Sequence, residues 1–173
     1  MSVLVDVVTD ILSTLTLIGG ILLLYLIYIV VFKKKNDFLN KHALLFAWII
    51  SLCATFGSLF YSEIAGYTPC LLCWYQRIFM YPLIIILGIA TYKKDNKIGG
   101  YVIPLSMFGG VIAAYHYYTQ LLSNALPAGV CAVGEECSRK YVLHYGYITI
   151  PIMALTAFLL IIFLTINRGK KII

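Results

Sequence analysis

The segment that decides how this chain folds is residues 68–77, which read Thr-Pro-Cys-Leu-Leu-Cys-Trp-Tyr-Gln-Arg. A proline disfavours helix in the residue before it and is tolerated in a first helical turn, so Pro69 predicts a helix start. The sequence after it stays mostly apolar to residue 92. A membrane-crossing helix needs about 20 such residues. The segment therefore predicts the entrance of a transmembrane helix with a Cys-x-x-Cys pair at its mouth.

Outside this segment, four more apolar stretches are long enough to cross a membrane. The five predicted spans are residues 11–32, 43–61, 71–92, 98–122 and 147–166. Hydrophobic residues make up 62% of the chain and charged residues 12%, whereas soluble domains have roughly 45–50% and about 25%. The composition therefore predicts an all-α integral membrane protein surrounded by lipid. The net charge of +6 reflects loop composition and does not indicate a nucleic-acid partner.

Basic residues in short loops mark the cytoplasmic side of a membrane protein. If the five spans alternate in direction, ten of the thirteen Lys and Arg residues fall on one side, within residues 33–41, 93–97 and 168–171. This predicts an N-terminus outside and a C-terminus in the cytoplasm. The first span is predicted to be retained, because no basic segment of a signal peptide precedes it. Loops 62–70 and 123–146 then face the extracytoplasmic side, where disulfides form.

The cysteines form two close pairs and one single residue. Cys70 and Cys73 lie in one extracytoplasmic region, Cys131 and Cys137 lie in the other, and Cys53 is predicted to be a small buried hydrophobe. Cys70 is expected near the N-cap and Cys73 near the third helical position, where the positive end of the helix dipole favours a thiolate. The alternatives are an inert disulfide or a zinc site built from the four paired cysteines.

Two polar residues within the spans are candidate ligand-binding groups. Arg77 lies one helical turn beyond Cys73, and a guanidinium at membrane depth is usually functional. Its alternative role is to reach the head groups without chemistry. His116 shares a helix face with Gln120 and is the second candidate. The alternative for His116 is a polar side chain whose hydrogen bonds are satisfied by a neighbouring helix.

Residues 68–83 resemble the signature of the DsbB family of disulfide-forming membrane oxidoreductases, and its BdbC-like branch most of all. The similarity continues through His116 and the second cysteine pair to residues 146–151. The resemblance implies a four-helix transmembrane bundle, here residues 37–173, in a bacterial cell membrane. It also implies a quinone cofactor (menaquinone or ubiquinone) and a DsbA-like thioredoxin-fold partner. Residues 1–36 would then form an additional N-terminal transmembrane helix.

The resemblance also assigns roles to the candidate residues. Cys73 would be the quinone-proximal cysteine and Cys70 its disulfide partner. Cys131 would take the mixed disulfide with the partner, and Cys137 would then attack Cys70. Arg77 matches the quinone-site arginine of the family, and His116 is a candidate for hydrogen bonding to a quinone carbonyl. The predicted enzyme re-oxidises its partner, passes the electrons to a quinone, and has no metal.

Two other functions compete with this prediction. A vitamin K epoxide reductase-like enzyme also joins two cysteine pairs in a membrane, but there the loop pair precedes the Cys-x-x-Cys. A non-catalytic membrane binding or transport protein would use the same cysteines as structural disulfides. The additional first span and the short spacing between Cys131 and Cys137 both depart from the usual family pattern.

Overall fold

The structure, a computed structural model, describes residues 2–32, 34, 36–95, 97–122 and 142–169. Five long helices make up nearly all of this described part, and no strand occurs in it. They are α1 (Ser2–Val31), α2 (Asp37–Leu59), α3 (Leu71–Lys93), α4 (Gly99–Leu122) and α5 (Ile150–Gly169). The prediction of an all-α membrane protein is confirmed.

Each predicted span corresponds to one helix, although two helices begin earlier than predicted. Helix α1 begins at Ser2 and includes both Asp6 and Asp10. Helix α2 begins after Asn36, whose side chain accepts a hydrogen bond from the Leu39 N–H at 3.4 Å. Charged residues interrupt both helix starts, Asp6 and Asp10 in α1 and Asp37 and Lys41 in α2, so an uninterrupted apolar run begins only after them.

Four helical segments of the described chain are long and apolar enough to cross a membrane. They are Val3–Val31, Asp37–Ile64, Leu71–Lys93 and Ile150–Arg168. Helix α4 has 24 residues, enough to span about 30 Å of hydrocarbon, but its sequence is more polar. Its buried polar residues include Ser106, His116, Thr119 and Gln120. Helix α4 therefore carries polar groups into the interior of the protein.

Helices α2 to α5 form a four-helix ring, and α1 lies against the outside of it. Helix α2 packs against α3 and α5, and α4 packs against the same two helices. Helix α1 packs mainly on α5. The buried core of the ring is apolar and includes Leu44, Leu83, Leu87, Val102, Phe158, Ile161 and Leu164.

The contact between α4 and α5 at Phe158 requires a glycine on α4. A Cβ placed on Gly109 would lie 2.3 Å from the ring of Phe158, which is fully buried. Real Cβ atoms do not approach other heavy atoms this closely, so only glycine fits here without rearrangement. The large Phe158 ring thereby fills the space between the two helices.

At one end of the bundle, α2 continues into a π-helical turn (Phe60–Ile64), and a tight turn precedes α5. In that tight turn His144 and Ile148 exchange two backbone hydrogen bonds of 3.0 and 2.9 Å. The N-terminal half of α1 reaches the same end. There the Tyr61 hydroxyl donates to Thr9 Oγ1 at 3.4 Å, and His144 Nε2 lies 3.2 Å from Asp10 Oδ1.

Candidate functional site

The Cys-x-x-Cys pair lies at the start of α3, as the proline before it predicts. Cys70 is the N-cap, with extended backbone angles (φ −71°, ψ 170°), and Cys73 is the third helical residue. Their Sγ atoms are 3.4 Å apart, a contact between two thiols. Cys70 is 3% exposed and Cys73 is partly exposed. The first turn of α3 thus holds both sulfurs beside the positive end of a helix dipole.

His116 of α4 joins this cysteine pair through a chain of contacts. Its Nε2 lies 3.7 Å from Cys70 Sγ, and its Nδ1 lies 2.9 Å from Nε2 of Gln76. All three residues are buried. An amide N–H that donates to Nδ1 leaves the ring proton on Nε2, facing the sulfur. The imidazole is therefore placed to stabilise a Cys70 thiolate and to exchange a proton with it.

Arg77 is buried and bound to α2 rather than extended to the membrane surface. Its Nε donates to Ser58 Oγ at 2.9 Å, and its Nη2 donates to the Ser58 carbonyl oxygen at 2.8 Å. The guanidinium carbon lies 5.2 Å from the centre of the Trp74 ring, a cation–π distance. Arg77 is 7% exposed, which excludes the alternative of a side chain that reaches the head groups.

A cavity of about 350 Å³ connects these groups to the middle of the bundle. The predicted residues Cys70, Cys73, Arg77 and His116 all line it, and they are joined there by Gln120. The remaining wall is mostly apolar and comes from α1, α2, α3 and α5. It includes Leu12, Leu15, Leu22, Ile49, Ile50, Met80, Ala154, Ala157, Phe158 and Leu160. The cavity therefore has one polar, sulfur-bearing end and a long apolar remainder.

Among the cysteines that the structure describes, Cys53 is the one whose environment was predicted wrongly. Its side chain is exposed and lines the cavity, whereas we expected a buried hydrophobe. The apolar sequence around Cys53 is equally compatible with a face toward lipid, a cavity or a packed core. The position of α2 decides among them.

The other aromatic and cysteine candidates do not line the cavity in the part of the chain that the structure describes. Trp74 and Tyr75 are half-exposed and lie outside the cavity lining, as expected for rings at a membrane interface. Cys131 and Cys137 lie outside the described residues.

Gln76 and Ser58 are functional candidates that the sequence analysis missed. An amide directly before Arg77 in an otherwise apolar span was a signal for Gln76, because buried polar groups need partners. Ser58 had no such signal, since a serine in a membrane helix commonly bonds only to its own backbone.

The same corner has the composition of a partial metal site. The ligand atoms of Cys70, Cys73 and His116 all lie within 4.8 Å of one another. Two sulfurs and one imidazole are a donor set that zinc accepts, with a fourth position left to complete a tetrahedron. The geometry alone is thus compatible with thiol redox chemistry and with metal binding.

Comparison with known proteins favours the first of these two possibilities. Residues 40–167 match the family described as "Disulfide bond formation protein DsbB". Disulfide bond formation protein C of Bacillus subtilis is 45% identical over 134 residues, which cover 76% of this chain and 97% of that protein. Probable disulfide formation protein C of Bacillus cereus is 46% identical over 129 residues, which cover 75% and 90%. A probable disulfide formation protein of Chlamydia caviae is 43% identical over 134 residues, covering 78% and 96%.

No solved structure shows a convincing match to the chain. The family match begins at residue 40, so it includes α3, α4 and both cysteine pairs but leaves α1 outside.

Proposed function

Because the chain belongs to the DsbB family of disulfide bond formation proteins, we propose that it couples an extracytoplasmic dithiol protein to a membrane quinone. The family assignment makes it a membrane thiol–disulfide oxidoreductase. The proposal adds that the electron donor is a DsbA-like thioredoxin-fold protein and that the acceptor is menaquinone or ubiquinone.

The observation that carries the proposal is the shape of the cavity. One end holds two thiols, an imidazole and a guanidinium, and most of the remaining lining consists of apolar side chains from α1, α2, α3 and α5. A quinone has the complementary form, with polar carbonyls on a ring and a hydrocarbon tail. Pockets for such ligands are mostly apolar with a few placed polar groups. The residues present therefore fit a quinone, which when bound supplies an acceptor for two electrons and two protons.

The chain's own residues have separate tasks at the polar end. The helix terminus stabilises thiolate at Cys73, and the family resemblance makes this the sulfur next to the quinone. His116 Nε2, 3.7 Å from Cys70 Sγ, holds the proton that Cys70 gains or loses. Ser58 takes two of the five N–H donors of Arg77, which leaves the guanidinium further donors for a carbonyl oxygen.

Electrons would enter through the second cysteine pair. The reduced partner attacks the Cys131–Cys137 disulfide and forms a mixed disulfide at Cys131. A second partner thiol then releases the partner as a disulfide, leaving Cys131 and Cys137 as thiols. Cys137 next attacks Cys70, and the exchange reduces the Cys70–Cys73 disulfide while the loop disulfide re-forms. Two electrons and two protons thus pass from the partner to the Cys70–Cys73 pair.

The orientation of the chain in the membrane is part of the proposal. Cys70 lies at the start of α3 and Lys93 at its end, so the thiols and the basic loops are at opposite ends of the helix. Basic loops are retained in the cytoplasm, which supports a position of the thiols on the oxidising side of the membrane.

The test uses the purified full-length chain, a reduced DsbA-type protein and a short-tailed quinone whose reduction is followed optically. Cys73→Ser is expected to abolish quinone reduction, and unchanged turnover would contradict the assignment. Leu71→Ala is the control, since Leu71 is exposed and lies outside the cavity lining. With a reduced partner whose second thiol is replaced by serine, attack on the Cys131–Cys137 disulfide is expected to leave the partner attached through Cys131.

A zinc-binding membrane protein is the second candidate, and the cluster of Cys70, Cys73 and His116 favours it. This candidate function predicts bound metal in the purified chain and thiols that stay protected after treatment with quinol or quinone. The redox proposal predicts instead that the number of reactive thiols rises after treatment with quinol and falls again after quinone. Metal analysis and thiol counting on one preparation distinguish the two. Thiols that never cycle would also support a non-catalytic protein with structural disulfides.

A further inference from the structure

We infer that α1, which lies outside the family match, forms the wall of the quinone site that binds the isoprenoid tail. The inference rests on the proposed function, because it takes the occupant of the cavity to be a quinone. It assigns a task to the additional N-terminal helix, which the family resemblance leaves without one.

One face of α1 lines the cavity. The lining residues are Leu12, Leu15, Thr16, Ile18, Gly19 and Leu22. They recur at intervals of three and four, the spacing that places side chains on a single helix face. From residue 12 to residue 22 this face extends for about 15 Å at 1.5 Å per residue. The wall is thus a long strip rather than a point contact.

The α1 wall offers no polar group for a quinone ring. Five of its six residues are apolar, and the Thr16 hydroxyl donates within the helix to the Leu12 carbonyl oxygen at 2.8 Å. The cluster of Cys70, Cys73, Arg77 and His116 in the cavity lining comes from the start of α3 and from α4, and Cys70 and His116 are in contact there. A ring with two carbonyls therefore fits the α3–α4 end, and a hydrocarbon chain fits α1.

Helix α1 is held at a fixed position on the bundle. A Cβ on Gly57 of α2 would lie 3.3 Å from Leu12 Cδ1, and a Cβ on Gly19 would lie 3.1 Å from Leu160 of α5. The contacts of Thr9 with Tyr61 and of Asp10 with His144 hold the N-terminal half of α1 against two turns, the one that follows α2 and the one that precedes α5. These contacts keep α1 beside the cavity instead of leaving it to diffuse in the lipid.

Part of the α1 wall also faces outward. Leu15 is 48% exposed and Ile18 is 57% exposed, although both line the cavity. These two side chains therefore lie at a rim where the cavity meets the surrounding lipid. A tail too long for the cavity would leave it along this rim and continue into the bilayer.

Photolabelling of the full-length chain in liposomes tests the inference without depending on turnover. The probe is a quinone with a diazirine in the second isoprenoid unit, and labelled positions are mapped by mass spectrometry. Labelling is expected within residues 12–22, in the wild-type chain and equally in Cys73→Ser, and excess unmodified tailed quinone should suppress it. Labelling confined to other helices, or labelling that tailed quinone does not suppress, would overturn the inference.

Substitutions on two faces of α1 provide the matched comparison. Leu15→Trp and Thr16→Trp place a large ring in the tail wall, and overfilling a packed site typically costs enough to weaken binding roughly tenfold. We therefore expect the KM for a quinone with two isoprenoid units to rise roughly tenfold. The KM for a tailless quinone should change little. Ile21→Trp is the control, because Ile21 is 70% exposed and outside the lining. An equal rise in KM for both quinones would contradict a tail-specific wall.

The two experiments also separate this inference from the proposed function. Labelling of α1 without quinone reduction by the wild-type chain would support the tail site and contradict the proposed enzyme. Quinone reduction without labelling of α1 would support the enzyme and contradict the tail site.

Discussion

Near the start of α3, two buried polar side chains are each bound to a neighbouring helix. Gln76 bonds to His116 of α4, and Arg77 bonds to Ser58 of α2. A polar group buried without a partner is costly, so these bonds stabilise the fold only when both members are in place. The consequence for function is that the imidazole and the guanidinium have fixed orientations toward the cavity.

Replacing Gln76 with leucine should reduce turnover while the fold persists. The substitution removes the bond to His116 Nδ1, and a neutral hydrogen bond is worth about 0.5–1.5 kcal/mol. The ring would then sample orientations in which Nε2 no longer faces Cys70. We expect turnover to fall about three- to tenfold and the pH–rate profile to change shape. Tyr75→Phe is the control on the adjacent, half-exposed position, and equal rates for the two variants would refute the role of Gln76.

Replacing Arg77 with lysine should weaken quinone binding although the charge is kept. A single ammonium cannot reproduce the planar set of donors that binds Ser58 Oγ and the Ser58 carbonyl together. Hydrogen bonds to charged groups are worth about 1.5–3 kcal/mol, so the KM for quinone is expected to rise about tenfold or more. Ser58→Ala should have a smaller effect, because the carbonyl acceptor remains. A larger effect from Ser58→Ala than from Arg77→Lys would contradict this account.

Among the helices, α5 has the central position. It packs against α1, α2 and α4, and its Phe158 is fully buried against Gly109 of α4. Because the same ring also lines the cavity, the fit between α4 and α5 determines the shape of the site. Helix packing and ligand binding therefore depend on the same contact.

The Gly109 contact predicts a difference between two adjacent glycines. Gly109→Ala would place a Cβ 2.3 Å from the Phe158 ring, whereas a Cβ on Gly110 would be 3.6 Å from Phe158 Cβ, an ordinary contact. Overpacking costs typically about 1–3 kcal/mol, so Gly109→Ala should lower the thermal unfolding midpoint in detergent by several degrees. Gly110→Ala should leave it nearly unchanged. Adding Phe158→Leu should restore part of the loss at Gly109, and a failure to do so would contradict the packing explanation.

For the whole molecule, the distribution of charge and the position of the cavity indicate one arrangement in the membrane. The thiols lie at the start of α3 and the basic loops at the opposite end of the helices. The cavity runs inward from the thiol end and is lined by every helix. A reaction between an extracytoplasmic protein and a lipid-soluble acceptor requires such a connection between the aqueous side and the hydrocarbon layer.

This arrangement predicts the accessibility of the two ends of the chain. In intact cells, a tag at the N-terminus should be cleaved by added protease, and a tag at the C-terminus should be cleaved only after lysis. The expectation follows from the ten basic residues that share a side with the C-terminus if the five helices alternate in direction. Cleavage of the C-terminal tag in intact cells would contradict the proposed orientation.

The helices and the cysteine positions were predictable because they depend on neighbouring residues. Apolar runs of sufficient length identified all five helices, and Pro69 fixed Cys70 at the N-cap of α3. Missed boundaries, such as the start of α1 at Ser2, occur where charged residues interrupt the first turns of a helix. The local sequence was thus enough to predict the helices and the position of the Cys70–Cys73 pair.

The partners of the site residues were not predictable, because they come from distant parts of the chain. His116 is 40 residues from Gln76, and Arg77 is 19 residues from Ser58. The exposure of Cys53 likewise depends on which face of α2 borders the cavity. In a membrane helix nearly every face is apolar, so hydropathy does not distinguish lipid, core and cavity.

The sequence alone therefore determined a helical membrane protein with a thiol pair at a helix entrance, because helix length, proline and charge act within a few residues. Only the tertiary structure decided that His116 faces Cys70, that Arg77 is buried on α2 rather than extended to the surface, and that α1 completes the cavity wall. These outcomes depend on which apolar faces pack together. The complementary shapes of whole helices determine which faces pack together, and no single stretch of sequence predicts this.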